Sequence, residues 1–180
     1  NVLVDENGDW ITTGMNYDRS EVPEPLAEIE KMLISAKLDR KDNESMIGFL
    51  RELIKNLKDM DSKDLGVIKP LTKPVSRYGK VIDGVRTNLP YHVKALLLAG
   101  SEYGFKIKVG EKYMIIPIIS NEYTGIKKKK RKVVFIAYPI EEGLPSNYKI
   151  DFETYLRSNL WGKINLLFDL KPKELEKNVM

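Results

Sequence analysis

Four basic side chains at regular spacing are the residues of this sequence best suited to chemistry with an anion. They lie in the stretch "VIKPLTKPVSRYGK", residues 67–80, and are Lys69, Lys73, Arg77 and Lys80. Hydroxyl groups lie between them, on Thr72, Ser76 and Tyr78. In an extended backbone the cationic groups would form a line with hydroxyl donors in between, which suits contact with a chain of phosphates. A solvated connection between two helices is the alternative.

Two prolines, Pro70 and Pro74, restrict how this stretch can be built into a fold. Proline donates no backbone hydrogen bond, so a strand that contains it is expected at the edge of a sheet or on the surface. Proline also limits the freedom of the unbound chain, which lowers the entropic cost of ordering the stretch on a ligand. The sequence therefore predicts an extended segment that lies on the surface.

A second group of cations forms an unbroken run at residues 127–132, between two predicted strands. The run contains Lys128, Lys129, Lys130 and Arg131. Like charges repel, so a solvated hairpin tip is one interpretation, and contact with a phosphate backbone is the other. A nuclear-localisation signal has the same composition but is less favoured, because such signals act poorly inside a structured hairpin.

Residues for catalysis or metal binding are scarce in the sequence. His92 is the only histidine and lies on a mostly apolar predicted helix, so we expect a packed or surface residue and not a general base. The absence of cysteine excludes disulfides, thiolate zinc sites and a cysteine nucleophile. Phosphate-binding, dinucleotide-binding and serine-nucleophile motifs are absent as well. No catalytic residue and no metal ligand is predicted, and an independent small enzyme is the least favoured function.

The composition indicates one ordinary folded domain, or one domain with part of another. The 180 residues are 42% apolar, and 30 basic against 26 acidic residues give a net charge of +4. Because that excess is small, binding of an anion would depend on local clustering of cations. No apolar run reaches the roughly 18 residues of a membrane-spanning helix, so no membrane partner is expected.

Hydrophobic periodicity predicts an α+β fold with four main helices and a small antiparallel sheet. Residues 1–20 are typical of a strand–turn–strand hairpin that would complete a larger sheet. Helices are predicted at residues 20–38, 43–60, 88–104 and 151–170, and strands at residues 106–120 and 132–140. Asn43 and Asp151 are the predicted N-caps of the second and last helices.

Several motifs, taken in order, resemble the C-terminal thumb of family-B DNA polymerases. They are "IKPLTKPVSRY", "LPYHVKALLLAG", "VGEKYMIIPI" and the run from "AYPIEEGLPSNYKID" to "NLLFDLKPKEL". The upstream stretch "GMNYDRSEVPEPLAEIEKML" resembles the junction at which a last palm strand passes into the first thumb helix. Each motif is loose, but their shared order over nearly the whole chain is specific.

The resemblance implies that residues 1–22 are the C-terminal edge of a palm domain and residues 23–180 a thumb domain. The family's catalytic aspartate motifs, D-x-x-S-L-Y-P and Y-G-D-T-D, are absent, as is its K-K-R/K-Y element. The chain would then be a fragment or a separately encoded small subunit, inactive in nucleotidyl transfer without its partner. Mg²⁺ is expected at the palm of the complete polymerase, and no cofactor is expected in this chain.

A family-B thumb grips the primer–template duplex without regard to sequence, through phosphates and groove shape. The resemblance implies backbone contacts from Lys69, Lys73, Arg77 and Lys80, with Thr72 and Tyr78 as neutral donors. Further implied contacts are Lys94 and the hairpin-tip residues Lys128, Lys129, Lys130 and Arg131. The implied partners are this duplex and the remaining palm, fingers and exonuclease domains. A sliding clamp is a further partner to test, since the sequence has no clamp-binding tail of the glutamine–x–x–hydrophobic–x–x–aromatic–aromatic kind. The implied compartment is the cytoplasm or nucleoid, if the source is archaeal, bacterial or phage.

Two other functions are compatible with the same residues. A freestanding basic accessory protein would bind double-stranded DNA without any polymerase partner. An α+β interaction module, whose lysines only provide solubility, would not bind DNA at moderate salt.

Overall fold

The computed structural model describes residues 2–4, 10–12, 22–39, 42–82, 85–119 and 133–168 of the 180-residue chain. It contains several helices and a small three-stranded antiparallel sheet, so the predicted α+β class is confirmed. Within these ranges, no helix has both the length and the apolar character that crossing a bilayer requires.

The chain starts with two short strands, β1 (Val2–Val4) and β2 (Trp10–Thr12). They pair antiparallel, with Val2 opposite Thr12, as the predicted hairpin requires. The turn between them lies outside the described residues.

Three helices follow, α1 (Glu24–Leu38), α2 (Asn43–Lys58) and the short α3 (Ser62–Leu65). The predicted cap of α2 is wrong by one residue, because the side chain of Asp42 accepts a hydrogen bond from the Ser45 backbone N–H at 2.8 Å. Asn43 is the first residue of the helix itself. Aspartate is as good a cap as asparagine, and its charge also interacts favourably with the helix dipole.

The basic stretch, residues 67–80, and the residues directly after it form several short elements. Strand β3 (Val67–Pro70) is followed by a 3₁₀ turn at Val75–Arg77 and by a small hairpin of β4 (Lys80–Ile82) and β5 (Val85–Thr87). Helix α4 (Tyr91–Tyr103) then begins directly after Pro90 and ends at Gly104, which has a φ of 71°. Glycine adopts this left-handed conformation without steric cost, which accounts for the end of the helix.

The last elements are β6 (Lys112–Ile118), β7 (Val134–Tyr138) and a final helical segment. That segment comprises α5 (Phe152–Leu156), a π-helical turn (Arg157–Trp161) and α6 (Gly162–Phe168). Asp151 caps its start by accepting a hydrogen bond from the Thr154 N–H at 3.2 Å, as predicted.

The sheet has the strand order β3-β6-β7, so β3 lies at an edge, as Pro70 requires. The central strand β6 is buried from Tyr113 to Ile118. Beyond the first residue of β3, Val67, which lies opposite Ile115, Ile118 pairs with Ile150, and the Asp151 N–H donates to the Pro117 carbonyl at 2.9 Å. The last helix is therefore joined directly to the sheet that carries the basic stretch.

Two tyrosine hydroxyls fix the connection between α3 and β3. Tyr138 donates to the Ser62 carbonyl at 2.6 Å, and Tyr155 donates to the Leu65 carbonyl at 2.9 Å. Burial raises the pKa of both phenols well above the usual range, so both remain neutral donors. The connection also depends on Gly66, at which a Cβ atom would overlap the Tyr138 hydroxyl and lie 2.8 Å from Met114 Cβ.

We expect Gly66→Ala to lower the free energy of unfolding by about 1–3 kcal/mol, since the new methyl must displace the bonded hydroxyl of Tyr138. Urea denaturation of the 180-residue chain measures this change. Gly48→Ala is the matched control, because no atom lies within 4 Å of its Cβ position on α2. Alanine there should stabilise the chain by about 0.5–1 kcal/mol. Equal effects of the two substitutions would show that the connection is not closely packed.

Candidate nucleic-acid interface

The basic stretch leaves the sheet at Leu71, which is buried. Its backbone N–H donates to the Glu111 carbonyl at 3.0 Å, and its own carbonyl accepts from the Gly110 N–H at 2.8 Å. These bonds continue the pairing of β3 with β6 past Pro70, so they fix the point at which the following loop begins. Residues 71–80 are called the Tyr78 loop below.

The Tyr78 loop is compact, which corrects the prediction of an extended segment. After Pro74 the backbone forms a single 3₁₀ turn, in which the Arg77 N–H donates to the Pro74 carbonyl at 2.9 Å. The side-chain oxygens of Thr72 and Tyr78 then lie 3.2 Å apart, within hydrogen-bonding distance. The turn satisfies backbone groups that a single extended segment would leave to water, and it closes the loop on itself.

Tyr78 anchors the loop through its buried ring. Only 8% of its surface is exposed, and its ring meets that of His92 edge to face, with centroids 5.8 Å apart. His92 makes a similar contact with Tyr91, so it is a packed residue, as predicted. Lys73 Nζ lies 4.6 Å from the centroid of the Tyr78 ring, where the ring attracts its charge. Tyr78 therefore has an organising role inside the loop, and its role as a donor to DNA stays a prediction.

Five of the predicted contact residues are exposed, four on this loop and one on α4. The exposed members are Thr72, Lys73, Arg77, Lys80 and Lys94. Lys94 belongs to α4, two residues after His92, and is linked to the loop through the ring contact of His92 with Tyr78. Lys69 differs from them, because it is half-buried on β3 and lines a cavity beside the last helix. The predicted contacts Lys128, Lys129, Lys130 and Arg131 lie outside the described residues.

The hairpin of β4 and β5 contains one basic residue that the sequence prediction did not include. Its register places Arg86 opposite Val81, next to the pair of Lys80 and Thr87. An Asp-Gly dipeptide between residues with strand propensity is a strong hairpin signal, and the sequence "KVIDGVRT" contains one. Within residues 67–100 the sequence has six basic residues and a single acidic one.

The chemistry available on this surface is the binding of anions. An array of exposed Lys and Arg side chains with few acidic neighbours attracts phosphate groups at any base sequence. The described residues contain no group of three or more His, Cys, Asp or Glu side chains that could hold a metal ion. Asp61 has a structural role, because it caps α3 by accepting from the Lys63 N–H at 2.9 Å. This hydrogen bond lowers the pKa of its carboxyl group.

If Tyr78 anchors the loop, Tyr78→Ala should lower the free energy of unfolding by about 3 kcal/mol, since a buried aromatic ring is removed. Tyr78→Phe keeps the ring contacts and loses only the hydroxyl pair with Thr72, so it should cost about 1 kcal/mol. Urea denaturation of both variants measures the difference. Equal and small losses would mean that the ring does not anchor the loop.

Comparison with known proteins shows a likeness to solved structures. No protein-family model and no curated protein matches the chain. Among solved structures, the fold is similar to the family B DNA polymerase from the hyperthermophilic archaeon Pyrobaculum calidifontis, with a TM-score of 0.57 and 17% sequence identity. The match covers 94% of this chain and 20% of the polymerase, so the chain spans about a fifth of that protein's length. At this identity the likeness is one of fold.

Proposed function

We propose that this chain is the thumb region, with the end of the palm, of a family-B DNA polymerase. The observation that carries the proposal is the fold likeness to part of such a polymerase over 94% of the chain. The order of motifs in the sequence supports it independently, because they follow one another as they do in family-B thumbs. In this proposal residues 1–22 are the edge of the palm and residues 23–180 the thumb.

The proposed role of the chain is to hold the primer–template duplex while the palm catalyses nucleotide addition. A polymerase must hold every sequence equally well, so its grip should use phosphates and groove shape. The exposed cations of the Tyr78 loop suit this task, because the loop is organised by its own contacts before DNA arrives. A preorganised loop loses less conformational entropy on binding than an open segment would.

The family's catalytic aspartate motifs do not occur in this sequence. Nucleotidyl transfer by two metal ions needs carboxylates that hold Mg²⁺, and we assign those to the palm of the complete polymerase. The proposed partners are therefore the DNA duplex and the rest of the polymerase, whether covalently attached or a separate chain. A sliding clamp is a further proposed partner. Lys69 and the hairpin-tip residues 128–131 remain proposed contacts with the DNA backbone.

We expect Lys73→Ala combined with Arg77→Ala to weaken duplex binding to the same extent for all sequences. The plot of log K against log salt concentration has a negative slope, to which each phosphate contact contributes about −0.9. Loss of two contacts should therefore make the slope shallower by about two. Fluorescence anisotropy with a labelled primer–template, measured over a series of salt concentrations, gives this slope. The matched control is Lys55→Ala with Lys58→Ala, which removes the same charge from exposed positions on α2.

Two outcomes would argue against the assignment. An unchanged slope in the Tyr78-loop variant would remove Lys73 and Arg77 from the interface. An equal loss in the α2 control would show that binding depends on net charge alone. A further experiment adds this chain to a palm-containing chain that catalyses nucleotide addition. Faster nucleotide addition would favour the polymerase proposal over a freestanding accessory protein, which needs no such partner.

A further inference from the structure

A groove of about 660 Å³ lies between the first half of α1, the second half of α2, α3 and one face of the sheet. It is called the α1–α2 groove below. Most of its lining residues are apolar, and three of these, Ile29, Leu53 and Met114, are buried. Ile68 lies directly opposite Met114 in the sheet, so both side chains are on the face that closes the groove.

Two large apolar side chains that line the groove are exposed to solvent. Met32 is 48% exposed on α1, and Ile140 is 39% exposed after β7. Three lining residues are methionines, namely Met32, Met60 and Met114. Methionine is flexible and polarizable, and it is common on surfaces that adapt to protein segments of varied sequence. The apolar lining is therefore suited to a partner's side chains.

Negative charge accompanies this apolar lining. The exposed carboxylates that line the groove are those of Glu24, Glu28, Glu52 and Asp64. Among the described residues that line it, Lys63 is the one cation. This local excess is opposite in sign to the net charge of +4 for the whole chain. A groove of this kind attracts cationic partners and repels anionic ones.

Most of these carboxylates are available to a partner. Glu28 is already paired with Lys31, whose Nζ lies 2.8 Å from its Oε1. Glu24, Glu52 and Asp64 form no ion pair with any residue that the structure describes. Three acidic side chains, one from each of α1, α2 and α3, can therefore each receive a cation from a bound segment.

We propose that the α1–α2 groove binds a basic amphipathic helix of a partner protein. Apolar side chains at positions i, i+3, i+4 and i+7 of that helix enter the groove, and its lysines or arginines pair with Glu24, Glu52 and Asp64. A helix suits the groove because one face presents a continuous apolar stripe with cations beside it. The groove shares no residue with the Tyr78 loop, so its occupation requires no DNA.

The test is fluorescence anisotropy of three labelled synthetic peptides with the 180-residue chain, without DNA. The probe is an amphipathic helical peptide with leucines on one face and lysines on the other. In the second peptide glutamates replace the lysines, and in the third the same leucines and lysines are reordered so that no apolar face forms. We expect the probe to bind at least tenfold more tightly than either of the others.

Glu52→Gln combined with Asp64→Asn should weaken binding of the probe by about tenfold, because two partners of its lysines are neutralised. Both residues are exposed, so we expect the fold to be retained. The matched control is Glu44→Gln with Asp39→Asn. It removes the same charge from exposed positions where α2 begins and α1 ends, outside the groove lining, and should leave binding unchanged.

Met32→Ser tests the apolar contribution and should weaken binding of the probe by about fivefold, since less apolar surface is buried in the complex. Leu38→Ser is the matched control. Leu38 is 43% exposed on the same helix and does not line the groove, so this change should have no effect on binding.

Several results would overturn the proposal. Equal binding of the third peptide would mean that charge alone attracts the probe. Binding that neither the carboxylate variant nor Met32→Ser weakens would place the probe elsewhere on the chain. No binding of the probe at submillimolar concentration would exclude a basic helix as the occupant. Self-association in sedimentation velocity that Met32→Ser abolishes and Leu38→Ser retains would show that a second copy of the chain covers the groove instead.

Discussion

The connection between α3 and β3 is the constraint on which the rest of this structure depends. Hydroxyls from Tyr138 on the sheet and Tyr155 on the last helix both donate to backbone carbonyls of α3. A buried hydroxyl without a partner is costly, so these two bonds allow only one placement of α3 against the sheet. The position of the edge strand β3 follows from that placement, and the Tyr78 loop starts where β3 ends.

The loop itself illustrates how buried contacts prepare an exposed binding surface. The ring of Tyr78 packs against His92, and its hydroxyl lies within hydrogen-bonding distance of Thr72, so the residues between them form a closed loop. Lys73 and Arg77 are exposed on that loop. Cations held in this way repel one another, and a strand of phosphates relieves the repulsion when it binds. The same contacts that stabilise the fold therefore produce the surface that the proposed grip on DNA requires.

The sequence alone predicted the fold class, the two hairpin strands at the start, the edge position of β3 and the cap at Asp151, and it placed the end of α4 at Gly100 or Gly104. These features depend on local chemistry, namely proline without an N–H, glycine at positive φ and aspartate at a helix start. The compact form of the Tyr78 loop could not be predicted, because it depends on contact with His92, a residue of another element. The ion pair of Glu30 with Lys163 likewise joins helices that are far apart in the sequence.

The central claim is that the Tyr78 loop and the start of α4 contact duplex DNA. Amide hydrogen exchange of the 180-residue chain, with and without a primer–template duplex, tests it most directly. The account predicts slower exchange on addition of duplex at residues 71–80 and 91–94, and unchanged exchange on α2. Unchanged exchange at residues 71–80 under conditions where the duplex is bound would contradict it.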